Sequence, residues 1–285
     1  MLGAALSFSI VVAMSKLLGA YYDTPQQVFF RNLTGVVFVA GSLIKQPARH
    51  QGGRPFLLIS RGIIGTLALY LLFYSIHTLG MARAVTYQYT YPLWMALFTF
   101  LLYKERPSKR EIAAIWIGII GVWLIFRPDM EMPFSDHLLG LGNALLTTFA
   151  YLAIKELSHF YDSRYIVLSF MLSGILLPIL SLIAGHFWVW EEFGFLLGKF
   201  SWPANLYHWF LFAVLGLSAL GGQMLMTNAF AVGKVNQVAP IGYANILFST
   251  LLGILLGESL PDFPIISGMI LIILGGILIT AFPKD

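Results

Sequence analysis

Ten apolar runs, each of about 18–22 residues and so long enough to cross a bilayer, decide what this 285-residue chain can fold into. They fall at 2–20, 25–44, 55–78, 82–103, 110–126, 137–155, 164–185, 207–232, 235–256 and 263–282. The runs are continuous and do not alternate in strands of about ten residues, which argues against a β-barrel. Only 11% of the residues are charged, against about 25% in a soluble domain, so folding alone cannot hide this surface from water. The expected fold is an all-α polytopic membrane protein whose first partner is the lipid bilayer. Met1 leads straight into apolar sequence with no basic segment before it, which reads as a first span and not as a cleaved signal.

Lys and Arg set the orientation. With the N-terminus in the cytoplasm, the basic clusters at 45–54 and 104–110 lie inside, together with Lys155, Arg164, Lys234 and Lys284. Only Arg83, Arg127 and Lys199 then lie outside, where Asp129, Glu131, Asp136, Glu191, Glu192, Glu258 and Asp262 collect. Both termini are therefore expected in the cytoplasm, and the positive charge serves topology, with no nucleic acid as partner.

The two halves resemble each other. LGAAL at 2–6 matches LGNAL at 141–145, Lys16 matches Lys155, and Tyr22–Asp23 matches Tyr161–Asp162, all at an offset of 139. Gly80 then matches Gly233 and Glu105 matches Glu258 at an offset of 153, because 186–206 is longer than 45–54. The ordered matches predict two five-helix repeats at 1–127 and 137–285, joined by an external linker at 128–136. Five is odd, so the halves have opposite polarity, the arrangement on which alternating-access carriers are built. Within the second repeat, Trp190, Phe193, Leu197 and Phe200 recur at helical spacing, and 186–206 reads as an interfacial helix.

The spans carry three basic residues, Lys16, Arg31 and Arg61, and the 13 acids all lie in connections or at helix edges. A charge inside a bilayer is a functional-site hypothesis that needs a partner, and the helices supply no acid. Lys16 lies about 14 residues into the first span, roughly 21 Å from its start, where it could hold a carboxylate or phosphate. Arg31 is open between cavity and headgroups, and Arg61, near a helix end, reads as a headgroup anchor.

Aromatic faces add to the candidate site. Tyr70, Tyr74 and His77 share one face of the third span, as Tyr87, Tyr91 and Trp94 do on the fourth. Such faces stack on planar ligands and offer phenol hydrogen bonds, although Tyr and Trp also serve as packing and belt residues. Gln88, Asn228 and Asn245 are the amides taken as substrate ligands, with helix bridging as the commoner use of such groups. Pro92 and Pro240 each remove a backbone hydrogen bond and are the expected hinges.

Several segments together resemble the drug/metabolite transporter superfamily in its ten-helix EamA branch. They are the repeat, SKLLG at 15–19, FFRN at 29–32, AVTYQYTYPLWMALFTFLLYKERPS at 84–108 and LGESLP at 256–261. The resemblance implies a transporter without ATP hydrolysis, in which helices 1, 3, 4, 6, 8 and 9 line a central cavity. SKLLG, FFR and RPF at 54–56 also resemble bacterial S-adenosylmethionine uptake carriers.

No Walker A pattern, no cysteine and no HExxH pair occurs, so the reading calls for no ATP pump, thiol chemistry, metal or cofactor, and for no enzyme activity. The expected function is secondary transport of a small organic metabolite across the inner membrane. The substrate bears a carboxylate or other anionic group, and a homodimer is left open. S-adenosylmethionine uptake is the alternative substrate reading, and a non-transporting assembly or sensor protein is the alternative class.

Overall fold

The computed structural model describes residues 1–47, 52–91, 93–95, 97–98, 109–126, 133–188, 195–232 and 241–281. Among these residues the regular structure is helical. Ten helices stand where the ten apolar runs lie: α1 (Leu2–Leu18), α2 (Thr24–Lys45), α3 (Pro55–Leu79), α4 (Met81–Gln88), α5 (Lys109–Phe126), α6 (Phe134–Leu157), α7 (Ser163–Phe187), α8 (Leu206–Val232), α9 (Ala244–Leu255) and α10 (Phe263–Ala281). Five of them, α2, α3, α6, α7 and α8, contain segments long and apolar enough to cross a membrane, and α1, α5, α9 and α10 contain shorter apolar stretches. The chain is a multi-pass membrane protein.

Helix starts follow local chemistry. Pro25 and Pro55 stand in the first turns of α2 and α3, where a missing N–H costs nothing. Asp162 caps α7 by accepting the Arg164 amide at 2.8 Å. Asp23, its match at the start of α2, points elsewhere and accepts the Lys199 amide at 2.8 Å.

That bond ties down the segment expected to form an interfacial helix. Residues 195–205 are turn and coil, laced to the start of α2. Gln26 donates to the Ser201 carbonyl at 2.6 Å and accepts the Ser201 amide at 3.1 Å, and the Tyr22 hydroxyl accepts the Ala204 amide at 3.1 Å. Apolar spacing alone suggested a helix, but here the backbone amides are spent on α2. Gly198 also passes against Gly185 so closely that a Cβ on Gly185 would fall on the Gly198 carbonyl. Trp190 and Phe193 lie outside the described residues.

The helices pack as pairs: α1 against α8, α3 against α6, α2 against α7 and α5 against α10. In the last pair the backbones nearly touch, with a Cβ on Gly121 falling 2.9 Å from the Gly268 carbonyl, as small residues permit in membranes. The outer surface is apolar: Trp116, Trp123, Phe38, Leu176 and Phe263 are exposed, as lipid contact requires. Buried polar side chains instead bridge helices. Asn143 of α6 donates to the Ala68 carbonyl of α3 at 2.6 Å, and Asn32 of α2 donates to the Gly174 carbonyl of α7 at 3.3 Å.

The fourth span is not one continuous helix. α4 ends at Gln88, the chain turns at Tyr89–Thr90, and helical residues resume at Tyr91. Proline at 92 has no amide to offer the Gln88 carbonyl, and the Thr90 amide bonds the Tyr87 carbonyl in a tighter, 3₁₀-like step. A second turn falls at Gly242–Tyr243, just before α9. The two turns are separated by 153 residues, the same offset that relates Gly80 to Gly233 and Glu105 to Glu258. Pro92 and Pro240, the expected hinges, lie outside the described residues.

Candidate functional site

The three intramembrane cations meet different fates. Lys16 does have an acidic partner: its Nζ lies 2.9 Å from Oε1 of Glu258, just beyond α9. Side-chain exposures of 27% for Lys16 and 18% for Glu258 keep the pair in partial contact with solvent. The same carboxylate accepts the Met81 amide at 3.0 Å on each oxygen, where α3 passes into α4. Gly80 makes the approach feasible. Its φ is 81°, and a Cβ there would sit 3.2 Å from both carboxylate oxygens. The end of α9 is thus clamped to α1 and to the α3–α4 corner. The sequence reading found no acid for Lys16 because Glu258 belongs to a loop, and only packing carries that loop back to α1.

Arg31 and Arg61 lie elsewhere and are only 8% and 5% exposed. Both guanidinium groups stand over the ring of Phe170 on α7, at 5.7 Å and 4.3 Å from its centre. Arg31 Nη1 donates to the neighbouring Asn32 amide oxygen at 3.1 Å. Arg31 Nε, Arg61 Nε and Arg61 Nη1 are buried without a hydrogen-bond partner. The two cations act electrostatically on each other and on the Tyr151 phenol of α6.

Arg61 was expected to reach headgroups at the near end of α3. It turns the other way. Its Nη1 lies 3.2 Å from the place a Cβ on Gly65 would occupy, one turn further into the helix. Side chains on a helix lean toward its N-terminus by default, so this direction is held by the tertiary environment. Gly65 leaves the necessary space, since the same Cβ would press on the Phe170 ring at 2.9 Å.

Beside the arginines runs a chain of tyrosines drawn from the two helix breaks. Tyr243 contacts Tyr89 at 5.7 Å between ring centres, Tyr89 contacts Tyr91 at 6.1 Å, and Tyr91 stands edge-on to Tyr151 at 5.0 Å. Tyr89, Tyr91 and Tyr151 are half-buried and keep part of their surface accessible. A cationic pair facing phenol hydroxyls can hold an anion, and the rings can stack against a planar group.

The remaining candidates divide. Tyr70 is fully buried, its hydroxyl 3.1 Å from Ser181 of α7, and Tyr87 is bonded to His137 of α6 at 2.8 Å; both tie helices together. The break at Tyr89–Thr90 removes the common face predicted for Tyr87 and Tyr91. Trp94 donates to Thr90 Oγ1 at 3.1 Å and steadies that break. Tyr74 meets Phe195 in a tilted contact at 5.6 Å between centres, and His77 is exposed next to Gly19. Gln88 is half-buried at the end of α4. Asn245 donates to the Ala5 carbonyl at 2.7 Å and to Ser9 Oγ at 3.0 Å, which joins α9 to α1. Asn228 falls on α8, and its side chain is outside the described residues. Of the predicted residues, only Tyr91 stands in the tyrosine chain. Tyr89, Tyr151, Phe170 and Tyr243 escaped the periodicity argument, though Tyr89 and Tyr243 sit beside turns that the 153-residue offset relates.

A separate apolar depression of about 460 Å³ lies between α2, α7 and the coil after it, lined by Phe29, Ile179, Leu182, Ile183, Phe187 and Phe200, with His186. It holds none of the cations and suits an acyl chain better than an ionic metabolite.

An apolar exterior around a cationic, aromatic interior defines a polytopic helical membrane protein. Comparison with known proteins agrees. Residues 1–127 match the EamA-like transporter family. An uncharacterized transporter of Helicobacter pylori is 28% identical over 97% of this chain and 91% of its own length. The pseudopaline exporter CntI of Pseudomonas aeruginosa is 28% identical over 99% of this chain and 94% of its own. Human solute carrier family 35 member G1 is 25% identical over 78% of this chain and 61% of its own. A solved crystal structure shares the fold over 97% of this chain and 95% of that one, with a TM-score of 0.61 at 20% identity. The chain is similar to EamA-like transporters over its first 127 residues and to proteins named as transporters along nearly its whole length.

Proposed function

We infer that this protein is a secondary transporter that moves a small organic metabolite across the inner membrane by alternating access. Its termini lie in the cytoplasm, and its substrate is held through a carboxylate or other anionic group by Arg31 and Arg61. The observation that carries this reading is the pair of buried guanidinium groups over Phe170, with three nitrogen atoms lacking any partner. A buried donor left unpaired costs free energy, and a charged one more, so an incoming anion has much to gain there.

Two inverted five-helix halves, 1–127 and 137–285, fit the packing. Exchanging each helix of α1–α5 with its counterpart in α6–α10 turns the α1–α8 pair into α6–α3, and maps α2–α7 and α5–α10 onto themselves. The corresponding turns at Tyr89–Thr90 and Gly242–Tyr243 support the same symmetry, and paired helix breaks point to the substrate site of such carriers. In this cycle the Lys16–Glu258 contact closes the end of the bundle where α1 and α9 finish, and opening that end separates the pair.

S-adenosylmethionine is the weaker substrate reading. Its carboxylate and adenine suit the site, but its net positive charge meets two unneutralised arginines. The relative named as an exporter favours export as the direction to test first.

The experiment is uptake and counterflow in proteoliposomes across amino acids, nucleotides, vitamins and S-adenosylmethionine. Movement of an anionic member, lost in Arg31→Gln and Arg61→Gln, is the expected result. Movement of S-adenosylmethionine alone, unchanged in both variants, would refute the anion site. Failure to move any member would favour the assembly or sensor class.

A further inference from the structure

We propose that the Arg31–Arg61 site takes a dianion, a metabolite that presents two negative charges to the two guanidinium groups at once. This deepens the reading above and rests on it, since it assumes that the arginine pair is the substrate site. The argument is one of charge balance. Both cations lie over one ring, which places their guanidinium carbons within about 10 Å of each other, and they repel. Among the described residues the acids sit in connections or near helix ends, and three of them are committed elsewhere: Glu258 to Lys16, Glu156 to Arg54 and Asp162 to Arg164. The arginines face the Phe170 ring, the Asn32 amide and the Tyr151 phenol, all neutral.

A monoanion would leave one cation of the pair uncompensated in a low-dielectric interior, and that residual charge is costly. A dianion removes the desolvation penalty of both arginines and the repulsion between them in one step. The free donors suit this division, since Arg31 offers Nε and Arg61 offers Nε and Nη1. One anionic group can therefore be met by Arg61 while Arg31 meets the second charge. A dicarboxylate and a phosphate monoester share this chemistry. The aromatic floor of Phe170 admits apolar or planar substance between the two charges.

The test measures ligand-induced thermal stabilisation of the full-length protein in nanodiscs of phosphatidylcholine. The probes are succinate, inorganic phosphate at a pH where it is dianionic, and butyrate as a monoanion of matched length. Succinate or phosphate should act at concentrations about tenfold or more below butyrate. Arg31→Gln and Arg61→Gln should each bring the dianions down to the level of butyrate. Both variants should also be more stable than the parent without ligand, because each removes an uncompensated buried charge. A purely structural role for the arginines gives the opposite sign, and Arg→Lys variants, which keep the charge, should keep most of the dianion preference.

Equal stabilisation by succinate, phosphate and butyrate, lost in both Gln variants, would overturn the dianion and leave the anion site standing. No stabilisation by any of the three, with a response to S-adenosylmethionine, would overturn both, as would no response at all. Repeating the series with phosphatidylglycerol in the disc separates the remaining source. If the lipid alone stabilises the parent and abolishes the succinate effect, the pair holds a lipid headgroup and the metabolite reading falls.

Discussion

Lys16 and the Arg31–Arg61 pair begin as equals in the sequence, basic residues on apolar helices with no acid beside them, and end in opposite states. Lys16 stands near the end of α1, where the loop after α9 brings Glu258 within 2.9 Å. The arginines stand further from the helix ends and meet a phenylalanine, an amide and a phenol. Depth decides between these outcomes. An acid in a loop can neutralise a cation near the surface while keeping its own contact with water, whereas an acid carried to the middle of the bundle would itself need desolvation. A cation near an end can thus be neutralised from a loop, whereas the deeper arginines keep buried donors without a partner.

The sharpest way to break this comparison is to remove both arginines. Arg31→Gln with Arg61→Gln should reduce transport of the best anionic substrate by about a hundredfold or more, since loss of a buried charged contact costs several kcal/mol. Proteoliposome flux measures it, and a flux within a few-fold of the parent would place the substrate elsewhere. At the Lys16–Glu258 pair the effect is smaller and of another kind. Glu258→Gln keeps an acceptor for the Met81 amide but removes the charge. It should lower the thermal midpoint by about 2–4 °C, as fits a partly exposed pair worth about 1 kcal/mol. The chain has no cysteine, so a single cysteine in place of Ser15, buried one residue before Lys16, reports opening directly. Its labelling should rise severalfold in the Glu258→Gln background, and unchanged labelling would mean that the pair does not hold that end closed.

Asn245→Ala separates helix bridging from substrate contact. It strips donors from the Ala5 carbonyl and Ser9 Oγ and should cost about 1–2 kcal/mol of stability. Substrate affinity should stay within about twofold. A large affinity loss with unchanged stability would return Asn245 to the substrate site. The smallest effect is expected of Tyr151→Phe, which keeps the ring against Tyr91 and removes the hydroxyl near the arginines. It should weaken anion binding about threefold and leave stability alone.

Legibility followed the range of the forces involved. Helix positions depend on local apolar length and on Pro or Gly punctuation, and the ten runs match the ten helices within a few residues at most boundaries. The departures came where a distant contact overruled local spacing. Residues 195–205 have an apolar helical period but spend their amides on Gln26 and Tyr22. Tyr87 and Tyr91 share a helical face in the sequence, and the turn at Tyr89–Thr90 divides them between His137 and Tyr151. Arg61 looks like an interfacial anchor by its distance from the helix end, and Gly65 lets it reach inward instead.

By itself, the sequence determined that this chain is a polytopic helical membrane protein, and that its apolar runs hold more positive than negative charge. Both follow from residue type and from the cost of placing polar groups in lipid. Only the tertiary structure decided which cation finds an acid and which does not. That depends on how far a loop residue more than two hundred positions away is carried by packing: Glu258 reaches Lys16, and among the described residues no acid pairs with Arg31 or Arg61.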